Sequence, residues 1–303
     1  MEKYVVNRFP LQDEYKKQTG ISPQDIARLR QWLATQPHLP QDVTDLDLIL
    51  VYHCCNRSTE MSKQVVDLHF TLRSLFTKLF KDRFYDDRIE NILNLILIKP
   101  LQLRTKEGYT VLYTCFLDTD PKKFVFAETI KSVLMLIDLW QFEEGTWPGF
   151  IIIFDLAGMK LGHLSKIDLH VMQQFLFYLQ EAMLVKFKGM HFLNAPPFMD
   201  KLMMLIRQFM KKELLDVVRI HQIGSDSLDA YFPIQGLPKD AGGQYKSYAE
   251  CKEEVILKMR ANKHYFEEEN KKRLTESLRP GNPKTITDIF GGVEGSFKKL
   301  EID

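Results

Sequence analysis

Hydrophobic residues are spaced differently in two parts of the chain, and the change falls near residue 95. In the first part they recur every three or four positions, as on one face of an α-helix. Ile26, Leu29 and Leu33 are an example, and Ser22 supplies an N-cap before them. Further helices are predicted over residues 44–54, 60–80 and 86–97. Residues 1–95 are therefore predicted to form an all-helical N-terminal domain.

Beyond residue 95, apolar runs of strand length alternate with helical patterns. The predicted strands are 111–117, 149–155, 190–194 and 217–221, and the predicted helices between them are 124–143, 165–186 and 198–212. The run over 149–155 is continuously apolar, which is typical of a strand buried on both faces of a parallel sheet. The alternation predicts an α/β sandwich with a mainly parallel sheet over residues 96–245. A charged amphipathic helix and a glycine-rich tail are predicted over 246–303.

The segment 198–212 divides most clearly into an apolar and a polar face. At about 100° per residue, its apolar side chains fall in one arc, except for Met204. A surface helix packed on its own core would show the same stripe, so that interpretation stays open. Methionines in the arc and the rigid break at Asn194–Pro197 favour a helix that covers a cavity and swings outward.

Composition narrows the class of protein further. Apolar residues make up 45% and charged residues 27%, which is typical of a soluble globular protein, and the net charge of +1 gives no overall attraction to nucleic acid. Cys54, Cys55, Cys115 and Cys251 lack metal-ligand spacing, which favours reduced thiols in the cytoplasm. The sequence contains no HExxH, GxSxG or GK[ST] motif, so neither catalysis, a metal nor a cofactor is expected.

Four segments in order carry a family resemblance: Asp120–Phe124, Gly149–Gly158, Lys188–Pro196 and Leu237–Gly243. With them, the chain from about residue 22 to 250 resembles the CRAL-TRIO (Sec14-like) lipid-transfer family, in the style of its α-tocopherol and retinaldehyde carriers. The resemblance implies a CRAL-TRIO-like sandwich in which the sheet is the floor of a lipid cavity. The helices near 125–143 and 167–186 would form its walls, and the helix at 198–211 would be a mobile lid.

The resemblance also implies which side chains face the ligand. On the walls and strands these are Ile130, Val133, Leu134, Ile137, Phe150, Ile152, Phe154, Phe175, Tyr178, Leu179, Met183, Val185, Phe187 and Met190, and on the lid they are Phe198, Leu202, Leu205, Ile206 and Phe209. Core packing is the alternative for each of them. Val133 and Ile137 stand where tocopherol carriers have a hydroxyl, which favours a strongly apolar ligand.

Basic residues suggest how such a protein would meet a membrane. Lys186 and Lys188 match the phosphoinositide-contacting positions of the family, and Arg219, Lys211 and Lys212 are added as candidates. Solvated surface lysines are the alternative. The N-terminal basic cluster of the family is poorly kept, because only Arg57 remains near Val51, Cys54 and Asn56.

The implied function is the non-enzymatic binding and intermembrane transfer of a small hydrophobic ligand, such as a tocopherol, retinoid or carotenoid. Exchange would be assisted by phosphoinositides at an anionic membrane surface. The alternative is a regulatory, lipid-sensing module that binds a phospholipid. The protein is expected to be a cytoplasmic monomer that associates transiently with membranes, because no apolar run reaches the ~18 residues of a membrane span.

Overall fold

Capping residues begin most of the N-terminal helices in the computed structural model, which describes residues 2–291. The side chains of Ser22 and Thr44 each accept a hydrogen bond from the backbone N–H three residues later. The aspartate at that position accepts one from the backbone N–H of the capping residue, so both form capping boxes. The helices of this part are α1 (Leu11–Lys16), α2 (Pro23–Ala34), α3 (Asp45–Cys54), α4 (Thr59–Leu75), α5 (Thr77–Phe80) and α6 (Asp87–Leu95).

Five strands form one sheet in the order β1-β2-β3-β4-β5. The first pair is antiparallel, and the other three pairs are parallel. The strands are β1 (Ile96–Pro100), β2 (Thr110–Phe116), β3 (Phe150–Asp155), β4 (Phe187–Ala195) and β5 (Val218–Gln222). The helices of this part are α7 (Phe126–Glu144), α8 (Leu161–Leu164), α9 (Leu169–Glu181), α10 (Met199–Arg207) and α11 (Lys212–Leu215). The predicted α/β class, helical N-terminal region and mainly parallel sheet are confirmed.

The final described segment consists of α12 (Tyr248–Ala261), α13 (Lys263–Lys271) and α14 (Ile286–Phe290). One apolar cluster joins residues from all parts of the chain: Phe76 of the N-terminal region, Ile130 of α7 and Phe266 of α13 belong to it. The domain limits 1–95, 96–245 and 246–303 stay predictions. Of the predicted tail, residues 292–303 lie outside the described residues.

Alternation along the strands separates the two faces of the sheet. Ile152 pairs with Met190 and Phe154 with Phe192, and these side chains belong to the large cluster on the helical side. Ile151 and Ile153 belong to a second cluster on the opposite face. The first face, here called the inner face, is the one that α7, α9 and α10 cover.

Four predicted elements end at different residues from those expected. Residues 96 and 97, expected as the end of a helix, begin β1, because an apolar run this short fits either periodicity. The helix expected over 60–80 is broken at Phe76 into α4 and α5. The helix expected over 165–186 ends at Glu181, and the apolar residues after it lead into β4. The helix expected over 198–212 ends at Arg207.

Candidate ligand cavity and basic groove

An apolar cavity of about 140 Å³ lies on the inner face of the sheet, at the carboxyl ends of β2, β3 and β4. The first half of α7, the segment from Met159 to Leu176 and the helix α10 surround it. The carboxyl ends of parallel strands are the usual position for ligands in open α/β sheets. The cavity therefore lies where this type of fold leaves room for a ligand.

Polar atoms in the wall of the cavity are already bonded within the protein. Thr129 Oγ1 donates to the carbonyl of Val125 at 2.9 Å, and the Asp155 carboxylate accepts from Tyr113 Oη at 2.6 Å and from Asn194 Nδ2 at 2.8 Å. Thr114 Oγ1 donates to the Ile153 carbonyl at 3.4 Å, and apart from the Cys115 thiol the remaining lining is aliphatic, aromatic or thioether. A cavity with such walls stays dry and favours an apolar guest.

The cavity is small for a ligand larger than a single ring. An engineered apolar cavity of about 150 Å³ binds benzene, whereas pockets for drug-sized ligands have about 300–1,000 Å³. Met159, Met172, Met190 and Met210 line the space, and flexible thioether side chains repack easily. A larger guest would need these methionines or α10 to move.

Part of the predicted ligand-facing set lies together around this cavity. Its members here are Ile130, Val133, Phe154, Phe175, Met190, Leu202 and Ile206. They come from α7, β3, α9, β4 and α10, so elements far apart in sequence meet at one space.

Another part of the predicted ligand-facing set lies in a packed layer, toward the amino ends of the parallel strands. Leu134, Ile137, Phe150 and Ile152 are buried in the apolar cluster and do not line the cavity. Phe150 stacks on Trp147 with ring centroids 5.5 Å apart, and Trp147 contacts Trp140 at 4.6 Å. Tryptophan rings therefore occupy this end of the inner face.

The remaining predicted positions face other surroundings. Tyr178 Oη lies 3.4 Å from Arg73 Nε and 3.3 Å from His69 Nδ1, in a buried polar network. Leu179, Met183, Val185 and Phe187 line a second depression, described below. Phe198, Leu205 and Phe209 are half-buried and do not line the cavity.

Several cavity residues were missed in the sequence. They are Phe124, Met159, Ile167, Met172 and Phe192. Phe192 follows Met190 by two positions on a strand, and Met172 precedes Phe175 by three on a helix, so periodicity contained a signal for both. Phe124, Met159 and Ile167 lie in loops, where no periodicity indicates a direction.

The second depression, here called the basic groove, is open to solvent and has a volume of about 660 Å³. Lys186, Lys188 and Lys211 line it together, and Cys54, Cys55 and Asn56 border it from the end of α3. The other two predicted basic residues do not line it. Lys212 pairs with Asp216 at 2.5 Å, and Arg219 donates to Tyr231 Oη at 3.0 Å.

Two of the lysines in the groove carry uncompensated charge. Among residues 2–291, no carboxylate lies within 4.0 Å of the ammonium group of Lys186 or Lys188. Burial, and then repulsion from Lys188 and Arg57, lowers the pKa of Lys186. An anion in the groove would relieve that repulsion. Lys211 differs, because it pairs with Glu181 at 2.6 Å.

The turn after α10 is attached to α9 through Gln180. Its Nε2 donates to the carbonyl of Phe209 at 3.0 Å, and its Oε1 accepts from the Lys211 backbone N–H at 2.7 Å. Gln180 and Lys211 also line the basic groove. The groove and the helix over the cavity therefore share a boundary.

Two domain families match parts of this chain. A CRAL/TRIO domain matches residues 99–243, and a Pinta-like, UBA domain matches residues 21–88. Residues 99–243 therefore belong to the CRAL-TRIO family of lipid-binding and lipid-transfer domains. This confirms the resemblance seen in the sequence. In this CRAL-TRIO chain, the cavity and the groove both involve residues of the matched domain.

The CRAL-TRIO chain is similar to several known proteins. Clavesin-1 of Xenopus laevis is 25% identical over 228 residues, which are 74% of this chain and 69% of Clavesin-1. The alpha-tocopherol transfer protein-like protein of Mus musculus is 26% identical over 124 residues, 41% of this chain and 36% of that protein. A crystal structure of Sfh5 superposes with a TM-score of 0.49 at 13% identity, covering 85% of this chain and 84% of that chain.

Two further observations concern the described part of this CRAL-TRIO chain. Between residues 2 and 291, the helices are too short or too polar to cross a bilayer. Within the same range, His, Cys, Asp and Glu side chains form no group of three suited to a metal ion.

Proposed function

We propose that this protein binds one small hydrophobic molecule in the cavity under α10 and exchanges it at an anionic membrane surface without catalysis. The observation that carries the proposal is the cavity itself. Its walls are apolar, and their polar atoms are bonded within the protein. A guest is therefore recognised by shape and apolar area.

A neutral apolar ligand fits these walls better than a phospholipid. A phosphate or choline group inside the cavity would need polar partners. The Asp155 and Thr129 side chains do not offer them, because both are already hydrogen-bonded within the protein. Burial contributes about 25 cal/mol per Å² of apolar area, so a guest of roughly 400 Å² gains about 10 kcal/mol before the costs of binding. Tocopherols, retinoids and carotenoids belong to this class, and one similar protein has tocopherol transfer in its name.

Exposed apolar side chains support contact with a membrane near the cavity. Met204 projects from α10 with 70% of its surface exposed, and Leu161 begins α8 with 53% exposed. Acyl chains would cover these side chains and the apolar face of α10 when that helix moves outward. The open position of the lid is therefore favoured at a bilayer relative to water.

The basic groove supports attraction to anionic lipid, including phosphoinositides. Each basic residue near an anionic membrane contributes about 1 kcal/mol. Lys186 and Lys188 have no carboxylate partner among the described residues, so neither loses an ion pair on binding. The anionic head group would lie against the end of α10, beside Gln180 and Lys211.

Native mass spectrometry of the purified protein tests the cargo. We expect a mass excess that disappears on denaturation and a neutral apolar compound in the solvent extract. Ligand-free protein should take up the apolar fluorophore diphenylhexatriene with a gain in fluorescence. Protein that carries no cargo and gives no fluorescence gain would contradict the proposal.

A double substitution, Lys186→Ala with Lys188→Ala, tests the membrane step. Binding to phosphatidylcholine vesicles containing phosphatidylinositol bisphosphate should fall about thirtyfold, from about 1 kcal/mol per lysine. Lys212→Ala is the matched control, since Lys212 lies outside the groove and pairs with Asp216. Equal binding by the double variant and the control would reject the groove as the anionic site.

A further inference from the structure

Two adjacent cysteines lie at the edge of the basic groove. Cys54 is the last residue of α3, and Cys55 follows it as the C-cap. Their Sγ atoms are 3.9 Å apart, and both residues line the groove. The other two cysteines differ from them, because Cys115 and Cys251 lie in the buried cluster on the opposite face of the sheet. A dissolved oxidant can therefore reach the pair through the groove.

We infer that Cys54 and Cys55 are a reversible oxidation site, at which a two-electron oxidant such as hydrogen peroxide forms a disulfide between neighbouring residues. The Cys55 thiolate attacks one peroxide oxygen, the O–O bond breaks, and water leaves after protonation, so that Cys55 becomes a sulfenic acid. The Cys54 sulfur then attacks the Cys55 sulfur and displaces the hydroxyl as a second water. Two electrons pass from the thiols to the peroxide, and both thiol protons end in water.

The surroundings of the pair assign a role to each sulfur. The Cys54 thiol donates to the Val51 carbonyl at 3.2 Å, which favours its protonated form. Its contact with Cys55 Sγ at 3.9 Å lowers the pKa of the Cys55 thiol, although burial opposes it. Cys55 is therefore the first nucleophile and Cys54 the resolving thiol. Resolution needs no domain movement, because the two sulfurs are already in van der Waals contact.

Backbone geometry makes the resulting disulfide easy to reduce. Disulfide-linked residues usually have Cα atoms 4.4–6.8 Å apart, whereas adjacent Cα atoms are about 3.8 Å apart across a trans peptide. Strained disulfides have higher reduction potentials and are the labile ones. The bond would therefore form under oxidant and open again with cellular thiols.

Oxidation would also change the wall of the groove. Asn56 and Arg57, which follow the pair, both have positive φ, at 50° and 66°. Hydrogen bonds from Arg57 N to the Tyr52 carbonyl (2.8 Å) and from Ser58 N to the Cys55 carbonyl (3.0 Å) hold this turn. A peptide distorted between Cys54 and Cys55 moves these residues, and Asn56 and Ser58 line the groove beside Lys186. We therefore expect weaker binding of anionic lipid, a consequence that rests on the proposed function.

Peptide mass spectrometry tests the disulfide independently of any lipid. The tryptic peptide over residues 31–57 contains Cys54 and Cys55 and no other cysteine. After brief peroxide treatment of the intact protein, it should lose two hydrogen atoms and regain them with dithiothreitol. Cys54→Ser should instead accumulate the sulfenic acid on Cys55. A wild-type peptide that stays unchanged, or carries only added oxygen, would overturn the inference.

Vesicle binding by the same samples tests the consequence. Oxidised protein should bind phosphatidylinositol bisphosphate vesicles about fivefold more weakly than reduced protein, comparable to the loss of one lysine contact. Peroxide should leave the binding of Cys55→Ser unchanged. If the disulfide forms and binding does not change, regulation of the groove is refuted. If reduced protein does not bind at all, the groove proposal fails while the mass result stands.

Discussion

The two ends of the inner face of the sheet are built from the same strands, yet one is filled and the other is hollow. At the amino end, Phe150 stacks on Trp147, which in turn contacts Trp140. At the carboxyl end, Phe154 stacks on Phe192 at 5.5 Å, and about 140 Å³ remains beside them. Phe150 and Phe154 lie on one face of one strand. The alternation of side chains along a strand therefore identifies which residues point to the inner face, but it does not tell whether the space above them is filled.

Side-chain volume on the helices explains the difference. The second half of α7 carries Trp140, and the loop after it carries Trp147, whose Nε1 donates to Glu144 at 3.0 Å. The first half of α7 presents the smaller Thr129 and Val133 to the carboxyl end. Two indole rings fill one end, whereas β-branched and thioether side chains leave the other end open.

Truncation of an aromatic ring at each end should have unequal effects on stability. Phe150→Ala should lower the free energy of unfolding by about 4 kcal/mol, because the ring is fully buried between aromatic neighbours. Phe175→Ala should cost less, about 2 kcal/mol, because one side of that ring already faces empty space. Urea unfolding followed by circular dichroism measures both. Equal losses would mean that the two ends are packed equally well.

Enlarging a side chain at each end should also have unequal effects, mainly on ligand binding at the hollow end and mainly on stability at the filled end. Val133→Phe places a ring in the cavity and should weaken diphenylhexatriene binding about a hundredfold, while the free energy of unfolding changes by less than about 1.5 kcal/mol. Ile152→Phe is the matched enlargement in the filled layer, and overpacking there should cost about 1–3 kcal/mol. Fluorescence titration and urea unfolding separate the two effects. Unchanged probe binding by Val133→Phe would place the ligand elsewhere.

Much of the fold could be predicted because its signals are local or periodic. The cap at Ser22 and the apolar run at 150–155 each indicated an element that the structure contains. The strand β1 was missed, because its five residues, which end at Pro100, are too few to establish a period. The end of α9 was misplaced, because the apolar residues 182–185 satisfy both a helical and an extended pattern.

The site was less predictable, because it depends on what lies opposite each residue. Tyr178 has helical spacing with Phe175, yet it reaches Arg73 and His69, which lie more than a hundred residues earlier. Ile137 and Val133 share a face of α7, but only Val133 reaches the hollow end. The sequence allowed Lys186 and Lys188 to be placed together, because they are two positions apart. Their neighbours in the groove, Cys54 and Lys211, come from other parts of the chain and could not be placed there in this way.

The smallest predicted effect concerns how often the hollow end opens. Gln180 connects α9 to the turn after α10 through Phe209 and Lys211, and a net hydrogen bond contributes about 0.5–1.5 kcal/mol. Gln180→Ala should therefore speed the release of diphenylhexatriene to acceptor vesicles about threefold to tenfold, as measured by stopped-flow fluorescence. Gln208→Ala is the matched control, because among residues 2–291 that side chain bonds only to Leu205 of its own segment, and it should change the rate less than twofold. Faster exchange in the first variant alone would assign the opening to α10. Equal rates in both variants would instead mean that the ligand leaves without movement of this helix end.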